Sequence, residues 1–281
     1  MKAIKQYIKS HGFGQFSPKA VLFDMDGVIY DSMSNHSVSW HDSMSDYGLD
    51  MSYEDAYKYE GMRGVETIRQ IALQQWNREL SDAEAQEMYA HKAALFAERV
   101  KTHPAAVMPG IKELIQQMKS DGLIRCVVTG SAQHALLDKL ITDFDHLLQQ
   151  DLIVTAFDVT HGKPHPEPYL KGMQKCGVKP WETIVVENAP LGVRAATAAQ
   201  CLTVAVNTGP LPDAALLAEG ADFIYPSMTD FSDNWSCFYS QVLSGHIYRA
   251  HRHGLFTPVL SYLLVDSLKF GSCMLHGRLT P

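Results

Sequence analysis

The chain has only five cysteines in 281 residues (Cys126, Cys176, Cys201, Cys237 and Cys273), with no CxxC pair among them. A scattered, odd set argues against a disulfide framework and against a zinc site, and it fits a reducing, cytoplasmic compartment. No uninterrupted apolar run approaches the ~20 residues of a membrane-spanning helix, so no membrane partner is expected. Positive charge is scarce as well: 24 Lys and Arg stand against 31 Asp and Glu, a formal net charge of −7. That balance argues against a broad nucleic-acid surface and leaves room for a local cationic pocket for a small anion. Internal repeats and low-complexity segments are absent too. The lysine-bearing residues 1–18 have no continuous apolar stretch and no small-residue cleavage site, so they read as a short leader and not as a secretory signal.

What is present is an ordinary globular composition, 46% apolar and 20% charged, long enough for about two domains at ~100–200 residues each. Short apolar runs bounded by turn residues recur at 20–23, 124–129, 152–156, 183–187, 202–207 and 223–225. Helical patterns lie between them at 111–120, 132–141, 168–176 and 191–199, the alternation that βαβ units require. A doubly wound parallel sheet is predicted, with a core formed by 19–34 and 105–235. Between them, residues 35–104 lack a β-branched run and carry amphipathic patterns at 65–76 and 83–100. Ser81 and Glu84 have capping-box spacing, so this stretch reads as a helical insert whose two crossings act as a hinge above the first strand. The methionines and tyrosines of 44–59 read as the insert's own core. Residues 236–281 have no clear period and are net basic. They read as an extension of unassigned structure, a membrane-binding or partner-binding tail being the other reading.

The chemistry concentrates at strand ends. In Asp24-Met25-Asp26-Gly27 the pleat places Asp24 and Asp26 on one side, and Gly27 permits a sharp exit. Two close carboxylates suit either a Mg²⁺ site or nucleophile-plus-acid chemistry. Thr129, with the Gly130 and Ser131 amides at the start of a helix, makes an anion-binding geometry. Lys163, held between glycine and proline, suits one fixed anion, and Glu187 and Asn188 offer the hard oxygens that Mg²⁺ prefers.

The set DMDG, VVTGS, GKPHPEPY and VVENAPLG closely resembles the four motifs of the haloacid dehalogenase superfamily, in its β-phosphoglucomutase-like branch, over about residues 19–235. The resemblance implies a Rossmann-like core with an inserted α-helical cap at 35–104 and the use of Mg²⁺. It makes Asp24 the nucleophile that forms an aspartyl-phosphate, Asp26 the general acid/base, and Thr129 and Lys163 the phosphoryl ligands. Mg²⁺ would be held by the Asp24 carboxylate, the Asp26 main-chain carbonyl and Asn188, with Glu187 within or beside that set. His36 resembles a family histidine that orients the acid/base aspartate or the leaving group, and Arg63 falls on the cap segment that faces the core.

The chain departs from the family pattern in two places. Asn188 stands where the branch more often has aspartate, which removes a negative charge from the metal site. In the cap, Glu60 replaces a lysine and Gly64 replaces the arginine with which sugar-phosphate mutases hold the distal phosphate. That pattern resembles the inorganic pyrophosphatases of the branch, in which a cap glutamate reaches the metal. The expectation is therefore a monomeric Mg²⁺-dependent phosphohydrolase acting on a small phosphorylated substrate, with pyrophosphate favoured. The alternatives are a β-phosphoglucomutase or a sugar-phosphate phosphatase. A binding module without activity is disfavoured because no core catalytic position is missing.

Overall fold

A computed structural model describes residues 2–131, 134–144 and 146–247. Helix α1 (Lys2–Ser10) precedes the central strand β1 (Ala20–Phe23), and β2 (Tyr30–Asp31) leads into α2 (Met33–Asp46), α3 (Tyr53–Lys58), α4 (Gly64–Trp76) and α5 (Asp82–Thr102). The chain returns through β3 (Ala106–Val107) to α6 (Ile111–Ser120), β4 (Ile124–Val128), α7 (His134–Asp143) and β5 (Ile153–Val154). It then runs α8 (Glu167–Cys176), β6 (Thr183–Glu187), α9 (Pro190–Ala198), β7 (Leu202–Val206), α10 (Asp213–Ala218), β8 (Phe223–Tyr225) and α11 (Met228–Ile247). Among the described residues no helix is long and apolar enough to cross a membrane.

Six strands form the expected doubly wound parallel sheet in the order β5-β4-β1-β6-β7-β8. The winding reverses around β1, so the crevice at the carboxyl ends of β4, β1 and β6 is where such a sheet binds ligands. All four residues of β1 are buried because both faces are covered: Val21 and Phe23 enter one apolar cluster and Ala20 and Leu22 the other. A continuous apolar run is what a strand buried on both sides requires.

The two crossings to the helical insert pair as a short antiparallel ribbon, Tyr30 with Val107 and Asp31 with Ala106. Above it, α2, α4 and α5 pack around Trp40, Met44, Ile68, Ile71 and Met88. Met51 joins that cluster and Tyr47 and Tyr59 border it, whereas Tyr53 is exposed and Tyr57 lies outside it, so the methionines and half of the tyrosines of this stretch serve the insert's core. The Ser81–Glu84 capping box is formed in both directions.

Both ends of the core differ from the sequence reading. Residues 1–18, expected as a leader, contribute Ile4, Tyr7 and Phe16 to the main apolar cluster. The Tyr7 hydroxyl donates to the Gln200 carbonyl at 2.7 Å. Ile4, Tyr7 and Ile8 have helical spacing, but nine residues are too few for periodicity alone to identify. At the other end α11 runs to Ile247, past the expected boundary at 235/236, and Phe231, Trp235, Phe238 and Val242 recur at helical spacing against the core. The rest of the expected extension, 248–281, lies outside the described residues.

Candidate active site

The Asp24 amide extends the ladder beyond β1 by donating to the Val186 carbonyl at 3.0 Å, which sets its side chain at the mouth of the crevice. Met25 is buried in the core cluster, while Asp24 and Asp26 line the same cavity, the alternation read from the sequence. Gly27 closes the turn at φ 79°, and a Cβ there would lie 2.1 Å from Asn188 Nδ2. Only glycine meets both conditions.

Lys163 is fully buried and donates to Asp24 Oδ1, to Glu187 Oε1 at 2.6 Å and to the Val128 carbonyl at 3.1 Å. Burial alone would lower its pKa, but Asp24 and Glu187 more than offset that and raise it, so the ammonium stays charged. Glu187, expected within or beside the metal-ligand set, lies next to Asn188 and Lys163. Its Oε1 also accepts from the Tyr169 hydroxyl at 2.5 Å, and its Oε2 accepts from the amides of Asn188 at 3.0 Å and Ala189 at 3.2 Å. A carboxylate offers about four acceptor sites, and here all are taken. Glu187 therefore fixes Lys163 and the start of α9.

From the cap, Glu60 enters the same buried space, where its Oε1 accepts from Asn188 Nδ2 at 2.9 Å. The approach depends on backbone meeting backbone: a Cβ on Gly130 would lie 2.8 Å from the Gly61 carbonyl oxygen. Burial, then the charges of Asp24, Glu187 and Asp26, pushes the Glu60 carboxyl well above the usual range, against the Asn188 hydrogen bond. Burial likewise raises Asp24, aided by Glu187 and Asp26 and opposed by Lys163.

Asp26 is treated differently. It accepts from the Ser32 hydroxyl at 2.5 Å, and His36 Nε2 lies 3.3 Å from the same oxygen. That nitrogen is buried and off the hydrogen-bonding line. The other ring nitrogen, Nδ1, meets Lys92 Nζ at 2.8 Å. Burial would raise Asp26, but His36, Ser32 and Lys92 outweigh it and hold the carboxyl below its ordinary value. Lys92, from the middle of α5, is pushed down to about 7 by burial, against the pull of Asp26. His36 is lowered by burial and by Lys92.

These groups enclose a cavity of about 60 Å³, floored by Asp24 and Asp26 and roofed by Glu60 and Lys92, with Met33, Trp40 and Met62 along its apolar side. At ~10–15 Å³ per ordered water it is room for a handful of waters.

Among the described residues no three His, Cys, Asp or Glu side chains converge as a ready metal cage. The donors fit Mg²⁺ in another way. Asn188 Oδ1 is buried without a hydrogen-bond partner, beside Glu60 and within a cluster of carboxylates richer in negative than positive charge. A hard divalent cation satisfies both conditions.

Two expectations need correction. Arg63, expected to bind substrate, does not line the cavity; its Nη1 donates to the Thr160 carbonyl at 2.5 Å and lies 3.8 Å from Glu66. It joins cap to core on the outside. The Ser131 amide, expected to meet an anion, donates to Thr129 Oγ1 at 3.0 Å, while Gly130 and Ser131 still border the cavity. Lys92 went unnoticed in the sequence. It lies in a helix of many charges, whose amphipathic pattern does not distinguish a buried lysine from a solvated one.

A family model described as haloacid dehalogenase-like hydrolase matches residues 21–206. A solved structure, "Putative beta-phosphoglucomutase from Bacteroides vulgatus", is 46% identical, covering 86% of this chain and 97% of that one, with a TM-score of 0.82. Hexitol phosphatase B of Escherichia coli (strain K12) is 29% identical over 69% of this chain and 85% of its own length. Pyrophosphatase PpaX of Oceanobacillus iheyensis is 26% identical over 60% of this chain and 74% of its own length.

Proposed function

Because the chain belongs to the haloacid dehalogenase-like hydrolase family, we propose that it is a Mg²⁺-dependent phosphohydrolase that cleaves inorganic pyrophosphate through an aspartyl-phosphate on Asp24. The observation that carries this reading is the buried Glu60–Asn188 contact above a cavity of about 60 Å³. It sets an acid from the cap, at a position where the resemblance gives sugar-phosphate mutases a lysine, against the residue proposed to hold the metal.

In the first half-reaction an Asp24 oxygen attacks one phosphorus, the bridging P–O bond breaks, and phosphate departs. Lys163 stays charged beside the transferred group, and positioning with charge neutralisation supplies most of the catalysis. Asp26 is held ionised, so it is a poor proton donor and is free to accept a proton. Phosphate leaves as a stable anion without a proton, whereas a sugar alkoxide needs one. In the second half-reaction Asp26 takes the proton of a water that attacks the aspartyl-phosphate, returning Asp24 as carboxylate and releasing the second phosphate. Lys92 and His36 line the same cavity and, with the Ser32 hydroxyl, keep Asp26 ionised. When bound, Mg²⁺ would be held by the Asp24 carboxylate, the Asp26 main-chain carbonyl, Asn188 Oδ1 and Glu60, and would neutralise charge on the phosphoryl oxygens.

A second reading, β-phosphoglucomutase or sugar-phosphate phosphatase, draws support from the relatives' names and from the 46% identity to the Bacteroides vulgatus protein. The deciding experiment measures kcat/KM for pyrophosphate, hexose phosphates and an aryl phosphate at one Mg²⁺ concentration. Pyrophosphate should lead by more than about tenfold. Efficient conversion of β-glucose 1-phosphate to glucose 6-phosphate with a bisphosphate primer would overturn the proposal in favour of the mutase.

A further inference from the structure

The cap meets the core along a seam of glycines. Three loops at the carboxyl ends of strands each bring one glycine against cap residues 57–63: Gly130 after β4, Gly162 after β5 and Gly209 after β7. A Cβ on Gly130 would lie 2.8 Å from the Gly61 carbonyl oxygen. One on Gly162 would lie 2.6 Å from Arg63 Cγ and 2.8 Å from the Arg63 amide nitrogen, and one on Gly209 3.1 Å from the Tyr57 ring. Backbone conformation does not demand glycine at 130, 162 or 209, since none of them has a positive φ. What they supply is close approach, and packing this tight does not absorb an added methyl without moving.

The seam sets how far Glu60 comes down. Glu60 precedes Gly61, its Oε1 accepts from Asn188 Nδ2 at 2.9 Å, and Asn188 Oδ1 is buried there without a hydrogen-bond partner. The three contacts yield to different extents. At Gly130 and Gly162 the obstacles include backbone atoms, which cannot turn aside, whereas at Gly209 a half-buried ring need give by only a few tenths of an ångström. The three atoms nearest a Cβ on Gly162 all belong to the cap, in Arg63 and Glu66, so a methyl there presses on the cap and not on Lys163.

We propose that Gly162, with Gly130, is a determinant of substrate length. Glycine at these positions lets the cap acid descend onto the Asn188 amide, and the site then favours a short diphosphate over a sugar phosphate. The proposal rests on the pyrophosphatase reading for the identity of the short substrate.

Gly162→Ala, with Gly209→Ala as its control, tests this by hydrogen exchange over residues 57–66 and by kcat/KM for pyrophosphate and a hexose phosphate at one Mg²⁺ concentration. Gly162→Ala should exchange faster over 57–66 with the strands unchanged. It should lower the ratio of pyrophosphate to hexose phosphate kcat/KM by more than about tenfold, as an ångström-scale displacement does. Gly209→Ala should move that ratio by less than about threefold. Exchange over 57–66 as slow as in the wild type, an equal loss on both substrates, or as large a shift in Gly209→Ala would overturn the proposal. A wild type that prefers the hexose phosphate would overturn the pyrophosphatase reading alone, and the exchange rates and the direction of the Gly162→Ala shift would still decide the role of the seam.

Discussion

The sheet mouth and the cap face one cavity with opposite degrees of constraint. At the mouth the two groups that frame Asp24 are held several times over: Glu187 by four donors and Lys163 by two carboxylates and a carbonyl. From the cap, Glu60 and Lys92 reach the cavity through one hydrogen bond each, to Asn188 and to His36. A saturated cluster resists reorganisation, which suits the charges that the reaction always needs. A singly held side chain is displaced by whatever enters, which suits groups that discriminate among substrates. On the proposed reading, chemistry and selectivity are carried by separate parts of this molecule, the first by strand ends and the second by the inserted helices.

The strongest way to break this division is through the mouth. Asp24→Asn should lower kcat by more than about a thousandfold on every substrate, because the attacking oxygen is lost whatever the leaving group. Steady-state assays on pyrophosphate and an aryl phosphate, with circular dichroism as a check of folding, read this out. Substantial activity on either would remove the covalent step.

The cap side sharpens the comparison through pH. With the Lys92 pKa down at about 7 instead of 10.5, the folded protein holds the charged form only below that pH. If the ammonium meets the leaving phosphate, kcat/KM for pyrophosphate should fall as pH rises through about 7, and Lys92→Met should flatten that limb. The same variant should cost between about tenfold and a hundredfold at pH 6. Stability should move the other way. Between about 7 and 10.5 the unfolded chain binds more protons at Lys92 than the folded one, so the wild type gains stability relative to Lys92→Met as pH rises. Parallel pH–rate and urea-unfolding series would show both slopes. The smallest effect belongs to Arg63→Gln. A partly exposed contact with a carbonyl and a distant carboxylate contributes at most about 1 kcal/mol, so KM should change by no more than about fivefold.

The same division explains what the sequence disclosed. Asp24, Thr129, Lys163 and Glu187 were legible because a parallel sheet delivers the ends of its strands to one place, so motif order along the chain stands in for proximity. What order cannot supply is each group's hydrogen-bond allotment. The four donors that fill Glu187 were therefore not legible, and the Ser131 amide was taken for an anion donor although Thr129 holds it. In the cap, 3.6-residue periodicity says which side of α5 is buried but not what meets it, so Lys92 resembled its solvated neighbours until His36 and Trp40 were seen around it. Glu60 was found because glycines flank it and it breaks a family pattern. Arg63, three residues on, points out of the cavity because the chain has already turned into α4.

The most direct measurement of the central claim compares wild type and Glu60→Gln as kcat/KM for pyrophosphate and for a hexose phosphate across a Mg²⁺ titration, with Mg²⁺ binding followed separately by calorimetry. The account expects weaker Mg²⁺ binding, a loss of more than about tenfold on pyrophosphate and a much smaller change on the hexose phosphate, whose bulk keeps the cap acid from the metal. An equal loss on both substrates, or no loss on pyrophosphate with Mg²⁺ affinity intact, would contradict it.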